Sequence, residues 1–132
     1  EKTSILGIKK VGVLFADKEL DIAQVTDACK LNYDGLMVDT IDKSSKCTLD
    51  ILNNDLLSTF VKKCHKANKF CGISGSMSYE NIEYAMSFKP DFIGYRGALC
   101  SLSNRKNIEG PKCESILKKI KCTNQKMYQE AV

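Results

Sequence analysis

The sequence predicts an α/β fold made of parallel (β/α) repeats, and three observations carry that prediction. Apolar runs stop abruptly at polar, reactive residues in four places: VGVLF-AD at 11–17, GLMVD-TIDK at 35–43, FCGIS-GS at 70–76 and DFIGY-RGA at 91–98. Stretches with apolar residues at helical spacing separate these runs. The pattern recurs with a period of roughly thirty residues, as one strand plus one helix requires. Parallel strands joined by crossovers present the polar residues that follow them at one edge of the sheet, where barrel-type α/β proteins build their active sites.

Each element follows from local chemistry. Val11–Phe15 is a continuous apolar run suited to a parallel sheet. Asp17 is placed to cap a helix from about Lys18 to Leu31, with Leu20, Ile22, Ala23, Val25 and Ala28 on its apolar side. Asn32-Tyr33-Asp34-Gly35 reads as a turn, and Leu36–Val38 as the second strand. A long polar loop from Thr40 to Asn54 is expected next, a length more often functional than idle. Asp55 opens a helix to about Ala67, with Leu56, Leu57, Phe60, Val61 and Cys64 at core spacing. Phe70–Ile73 is the third strand. Ser78, Asn81 and Glu83 introduce a short helix to about Phe88, which Pro90 prevents from continuing. Phe92–Tyr95 is the fourth strand, Ser101–Gly110 a polar loop, and Pro111 suits the first turn of a last helix through about Ile120. A frayed tail is expected beyond Cys122. Residues 1–132 read as a single domain without a linker.

Two sheet closures fit this order: an open doubly wound sheet, or part of a (β/α)8 barrel. No G-x-G-x-x-G and no Walker A loop follows any strand, so nucleotide-binding signatures of the open type are absent. Four units are present where a closed barrel needs eight strands. The chain opens on Glu1 rather than Met, and a piece of a longer protein is expected.

Composition narrows the function classes. Apolar content of 43% and charged content of 27% suit a folded globular chain rather than a disordered one. The net charge of +4 comes with interspersed acidic residues and no Trp, which argues against nucleic-acid binding and fits small anionic substrates. Seven cysteines form an odd set with no C-x-x-C pair, so neither a disulfide framework nor a metal site is expected. Reduced thiols point to the cytoplasm. No apolar run approaches a membrane span, and no signal peptide or cofactor motif is visible.

Two constellations carry chemistry. Asp39 ends a buried strand, where an unpaired carboxylate is costly, and Lys43 four residues later can fold back to pair with it. A partly desolvated lysine serves as Schiff-base nucleophile, proton donor or phosphate anchor. The plainer alternative is an aspartate that caps the loop and a solvated lysine. The second constellation is a pair of glycine-rich strand ends, Gly72-Ile73-Ser74-Gly75-Ser76 and Gly94-Tyr95-Arg96-Gly97-Ala98. Backbone N–H groups next to glycine approach anions closely, and Arg96 adds a bidentate charge. The candidate phosphate-binding residues are therefore Gly72, Ser74, Gly75, Ser76, Gly94, Arg96, Gly97 and Ala98; the alternative is simply two tight βα turns. Asp17 reaches the same edge as a third candidate catalytic residue, although a helix cap explains it equally well. His65 reads as a helix-surface residue, Cys100 as a small buried one, and Asn104-Arg105-Lys106 as a solvated loop.

At these residues the chain resembles the (5-formylfuran-3-yl)methyl phosphate synthase family of methanofuran biosynthesis. The resemblance runs from Leu36 to Leu117 and rests on Val38-Asp39-Thr40-Ile41-Asp42-Lys43, Thr48-Leu49, Gly72–Ser76, Ile93–Cys100 and Asn104-Arg105, with Phe15-Ala16-Asp17 fitting the preceding strand end. It implies a TIM barrel of which this chain is the C-terminal half, its first strand being the fifth of eight. The implied reaction joins two molecules of glyceraldehyde 3-phosphate by aldolase-like lysine chemistry, with loss of phosphate and water and no metal. Asp39 and Lys43 take family active-site positions, and the two glycine turns hold substrate phosphate. The family's Schiff-base lysine belongs to the N-terminal half, which is absent from this sequence, and the connection after Asp17 is shorter than the family's.

A half barrel leaves two sheet edges and one apolar face open, so self-association or a partner that supplies the other half is expected. The alternatives are another phosphate-binding barrel aldolase, or a catalytically silent half barrel kept as a binding or assembly subunit.

Overall fold

The four apolar runs become four strands of one parallel sheet. In the computed structural model, which describes residues 7–43, 46–101 and 104–131, β1 is Val11–Phe15, β2 Gly35–Asp39, β3 Phe70–Ile73 and β4 Phe92–Ile93. They pair in consecutive order, with Val11 opposite Gly35, Gly35 opposite Phe70, and Gly72 opposite Phe92. A doubly wound sheet reverses its strand order at a switch point. No reversal occurs among these four strands, an arrangement compatible with half a barrel.

Alternation along the strands sorts the residues into two faces. Leu36, Val38, Cys71 and Ile73 are buried under two helices, α1 (Ile22–Lys30) and α3 (Asn54–Lys66). These helices contribute Val25 and Ala28, and Leu57, Phe60, Val61 and Cys64, to the same core. The opposite face holds Val11, Val13 and Phe15, which are 36%, 43% and 38% exposed. Gly35 and Gly72 also lie on that face because the rings of Phe70 and Phe92 occupy the space a Cβ would need. The two rings pack against each other with centroids 6.1 Å apart.

Several boundaries differ from expectation for identifiable reasons. Asp21, not Asp17, caps α1: its carboxylate accepts the Gln24 N–H at 2.8 Å while Gln24 reaches back to the Asp21 N–H, a reciprocal box. The helix therefore starts later, and Ile22, expected on its apolar side, is 48% exposed. The long loop after β2 contains a short helix, α2 (Thr48–Ile51), and Asn53 caps α3 by accepting the Leu56 N–H. Positions 44 and 45 of that loop lie outside the described residues. The short helix α4 is Ile82–Ser87. The polar stretch after β4 is a turn of 3-10 helix (Gly97–Leu99) followed by two antiparallel strands, β5 (Cys100–Ser101) paired with β6 (Asn104–Ile108); positions 102 and 103 lie outside the described residues. The expected loop was wrong there because β6 is wholly exposed and has no apolar alternation to reveal it. Nor does the tail fray at Cys122: α5 runs from Gly110 to Glu130, since no Gly or Pro interrupts it after Pro111.

All seven cysteines are free thiols, and Cys100 is buried as expected, with its Sγ directed to the Arg105 carbonyl at 3.0 Å. Among the described residues no helix is long and apolar enough to cross a membrane.

Candidate functional site

The carboxyl ends of β2, β3 and β4 meet at a small cleft. Asp39 ends β2, and its carboxylate accepts the N–H of the next residue, Thr40, at 2.7 Å. That bond fixes the carboxylate over the strand edge. The Lys43 ammonium donates to the same Oδ1 at 2.7 Å and also to the Thr40 carbonyl. Lys43 keeps 41% of its side-chain surface in solvent, so it is oriented yet reachable.

Asp17 acts on this arrangement through the backbone. Its carboxylate accepts the N–H groups of Ile41 at 3.0 Å and Asp42 at 2.9 Å. These amides hold its carboxyl below the usual carboxylate range. Asp17 thus pins the first turn of the loop that carries Lys43, and it does not line the cleft.

The turn after β3 forms the second wall. Gly75 has φ +103° and Ser76 φ +52°, two successive left-handed residues that reverse the chain tightly. A Cβ at Gly75 would strike the Thr48 hydroxyl and approach the Thr40 nitrogen at 2.9 Å. Thr48 locks the two loops together: its N–H donates to the Gly75 carbonyl at 3.1 Å and its hydroxyl to the Ser74 carbonyl at 2.5 Å. The hydroxyl oxygens of Ser76 and Thr40 are buried with no partner among the described residues.

Asp39, Lys43, Ser74, Gly75, Ser76, Gly94, Arg96 and Gly97 all line this one cleft, of about 140 Å³. Besides Asp17, two of the expected phosphate-binding residues do not. Gly72 lies one turn of the pleat lower, under the Phe92 ring, and Ala98 lines a separate hollow with Tyr79 and Pro111. One residue expected in a solvated loop does join: Arg105, from β6, lines the cleft with its guanidinium against Gly97. It reaches the site through the pairing of β6 with β5, which strand-end reasoning does not see. Met77 completes the lining.

The lining therefore carries three cations, Lys43, Arg96 and Arg105, against one carboxylate, Asp39. The volume is well below the ~300–1,000 Å³ of sites that enclose drug-sized ligands. A cleft this small with surplus positive charge suits an anionic group such as phosphate. Wider hollows exist elsewhere, for example one of about 430 Å³ around Phe92 and Ile120, but neither it nor the hollow at Ala98 gathers Asp39, Lys43 or the Ser74–Ser76 turn.

A family model described as 4-HFC-P synthase matches residues 2–116. The chain belongs to the 4-HFC-P synthase family. The match includes every residue of the cleft and stops within α5. Similar curated proteins are named (5-formylfuran-3-yl)methyl phosphate synthase. One from Methanococcus maripaludis strain C7 is 33% identical over 87 residues, covering 66% of this chain and 36% of that protein. One from Methanosarcina barkeri is 29% identical over 90 residues, covering 68% of this chain and 38% of its own length. The chain thus spans under half the length of these 4-HFC-P synthase relatives. Family membership agrees with the resemblance read from D-T-x-x-K and G-x-R-G-A-x-C.

Proposed function

We propose that this chain is the phosphate-holding, lysine-bearing half of a furan-forming synthase. In this reading residues 1–132 are one domain, the C-terminal half of a TIM barrel, and the complete enzyme is a carbon–oxygen lyase of the cytoplasm. It condenses two glyceraldehyde 3-phosphate molecules to a furan aldehyde bearing a methyl phosphate, with loss of one phosphate and two waters. The observation that carries the reading is the shared cleft, where an oriented lysine, a carboxylate and two glycine turns converge with two arginines.

Each part has a task. Arg96, Arg105 and the Ser74-Gly75-Ser76 turn bind substrate phosphate by charge-assisted hydrogen bonds. The Ser76 hydroxyl, which has no partner among the described residues, is available to the same group. Lys43, held by Asp39 and the Thr40 carbonyl, moves protons during carbon–carbon bond formation and dehydration. A lysine in the other half of the barrel forms the Schiff base with the substrate carbonyl. The exposed face of Val11, Val13 and Phe15 supports that division, because burying side chains of this size is worth about 1.5–3 kcal/mol each. The other half of the barrel, in the same polypeptide or a partner, covers them.

The test is conversion of glyceraldehyde 3-phosphate by the full-length protein to a product with conjugated furan-aldehyde absorbance. Turnover is expected with the native residue and strong impairment with Lys43→Ala. Normal turnover by the variant removes Lys43 from the mechanism. A thermal-shift panel of sugar phosphates distinguishes another barrel aldolase, since this reading requires preference for three-carbon phosphates. Phosphate binding with no turnover under any condition would leave the assembly-subunit reading in its place.

A further inference from the structure

A second constellation lies at the opposite edge of the sheet, where β3 and β4 begin. His65 sits in the last turn of α3, whose neighbouring residue Cys64 is buried in the core. Asn68, with φ +55°, turns the chain sharply into β3, so that Cys71 follows within six residues and buries its thiol beneath the helix. Asp91 precedes β4 and is tied to Cys71 twice: its N–H donates to the Cys71 carbonyl at 2.8 Å, and its Oδ2 accepts the Cys71 N–H at 2.7 Å. His65 Nε2 lies 2.9 Å from Asp91 Oδ2 and 3.6 Å from Cys71 Sγ. One ligand atom from each of the three residues falls within 4.8 Å of the other two.

We propose that His65, Cys71 and Asp91 form a binding site for a divalent transition-metal ion of the zinc class. A surface ion pair accounts for His65 and Asp91 alone. It does not account for a buried thiol directed at the same imidazole nitrogen. Zn–S near 2.3 Å and Zn–N near 2.0 Å at a tetrahedral angle place sulfur and nitrogen about 3.6 Å apart, the separation found here. The histidine–aspartate contact has to open by about half an ångström to admit the ion. Mixed sulfur, nitrogen and oxygen donors favour zinc-like ions over calcium or magnesium, which take oxygen shells.

The site also has an entrance and a supporting bond. The His65 and Asp91 side chains are each 44% exposed, so an ion enters from solvent and meets the buried thiol last. The Cys71 amide fixes the aspartate as an outer-shell partner. Three protein ligands leave one position for water. Because the ligands come from α3, β3 and the segment entering β4, a bound ion clamps three elements together at the edge away from the Asp39–Lys43 cleft. The absence of any C-x-x-C pair hid this site from the sequence: its ligands are spaced by five and nineteen intervening residues.

The experiment is titration of the purified full-length protein with Zn²⁺ by calorimetry in a non-chelating buffer with a phosphine reductant, and with Co²⁺ by absorption. One tight ion per chain is expected, with a near-ultraviolet thiolate-to-cobalt band. His65→Gln, an exposed position, should weaken binding at least about tenfold while leaving the circular dichroism unchanged. Cys71→Ser should abolish the thiolate band, and Cys122→Ser, at an exposed cysteine outside the cluster, should not. Absence of stoichiometric binding, unchanged affinity in His65→Gln, or a thiolate band that follows Cys122 overturns the proposal.

Discussion

Lys43 Nζ lies 2.7 Å from Asp39 Oδ1, and the same oxygen accepts the Thr40 N–H at 2.7 Å. The carboxylate is thus held by the backbone and in turn holds the lysine. An exposed ion pair of this kind contributes only ~0–1 kcal/mol to stability, so its value is positional. Asp39→Asn and Lys43→Ala are expected to shift the melting midpoint little while lowering kcat by about 10²–10⁴-fold, the range for loss of a proton-transfer group. Steady-state kinetics beside thermal melts of both variants check this; a large loss of stability with unchanged kcat would contradict it.

Arg105 makes a separable prediction. Its guanidinium stands beside Gly97 in the cleft and takes no part in the Asp39–Lys43 ion pair. Removing a charge-assisted contact to phosphate costs about 1.5–3 kcal/mol, which is about 10–100-fold in affinity. Under the proposed function, Arg105→Ala should therefore raise KM for triose phosphate by that factor with kcat changed far less. Added inorganic phosphate should inhibit the native protein more than the variant.

These two predictions come from residues of unequal legibility. Asp39, Lys43 and the Ser74–Ser76 turn were visible because buried parallel strands have to be apolar, and β1 and β3 ran over the expected residues, Val11–Phe15 and Phe70–Ile73. Arg105 was not, because it sits on β6, a wholly exposed strand paired to β5 whose sequence carries no apolar alternation. Asp17 and Asp21 are equally good caps by residue type; only the reciprocal contact with Gln24 decides between them. Gly72 and Gly75 look alike in the sequence, yet one makes room for Phe92 within the sheet and the other bends the chain at the rim.

That contrast predicts different failures. Gly75 combines φ +103° with a Cβ position against Thr48 and Thr40. Gly75→Ala should cost ~1–3 kcal/mol from backbone strain alone and should also displace the Thr48 contact that joins the two loops. Urea denaturation is expected to show the loss of stability, and activity should fall further than stability explains. At Gly94 the nearest group is the Ser74 hydroxyl, 2.7 Å from the Cβ position, so Gly94→Ala combined with Ser74→Gly should recover part of the loss.

Asp17 gives a pH dependence of definite sign. Its carboxyl is held below the ordinary range by the Asp42 and Ile41 amides. A depressed folded-state pKa means that the contribution is fully present above the unfolded value and is lost as pH falls through the folded one. Acid should therefore loosen the turn that carries Lys43 at the low end of the carboxylate range. The melting midpoint of the native protein should fall on acidification through that range more steeply than that of Asp17→Asn. Parallel pH profiles for the two would show that Asp17 contributes nothing to the loop.

Phe15 tests the open face. It ends β1 at 38% exposure, on the side of the sheet away from α1 and α3, in line with Val11 and Val13. If the other half of a barrel covers that face, a charge at this position is buried without a partner, and the cost is several kcal/mol. Phe15→Asp should then destabilise the full-length protein strongly, or dissociate it where the covering half is a separate chain. A face that stays in water predicts the opposite, since exchanging an exposed phenylalanine for aspartate should leave the melting midpoint nearly unchanged and improve solubility. Thermal melts with analytical ultracentrifugation of the native protein and Phe15→Asp separate the two outcomes. A neutral result would leave the sheet open and remove the physical reason for a complementary half.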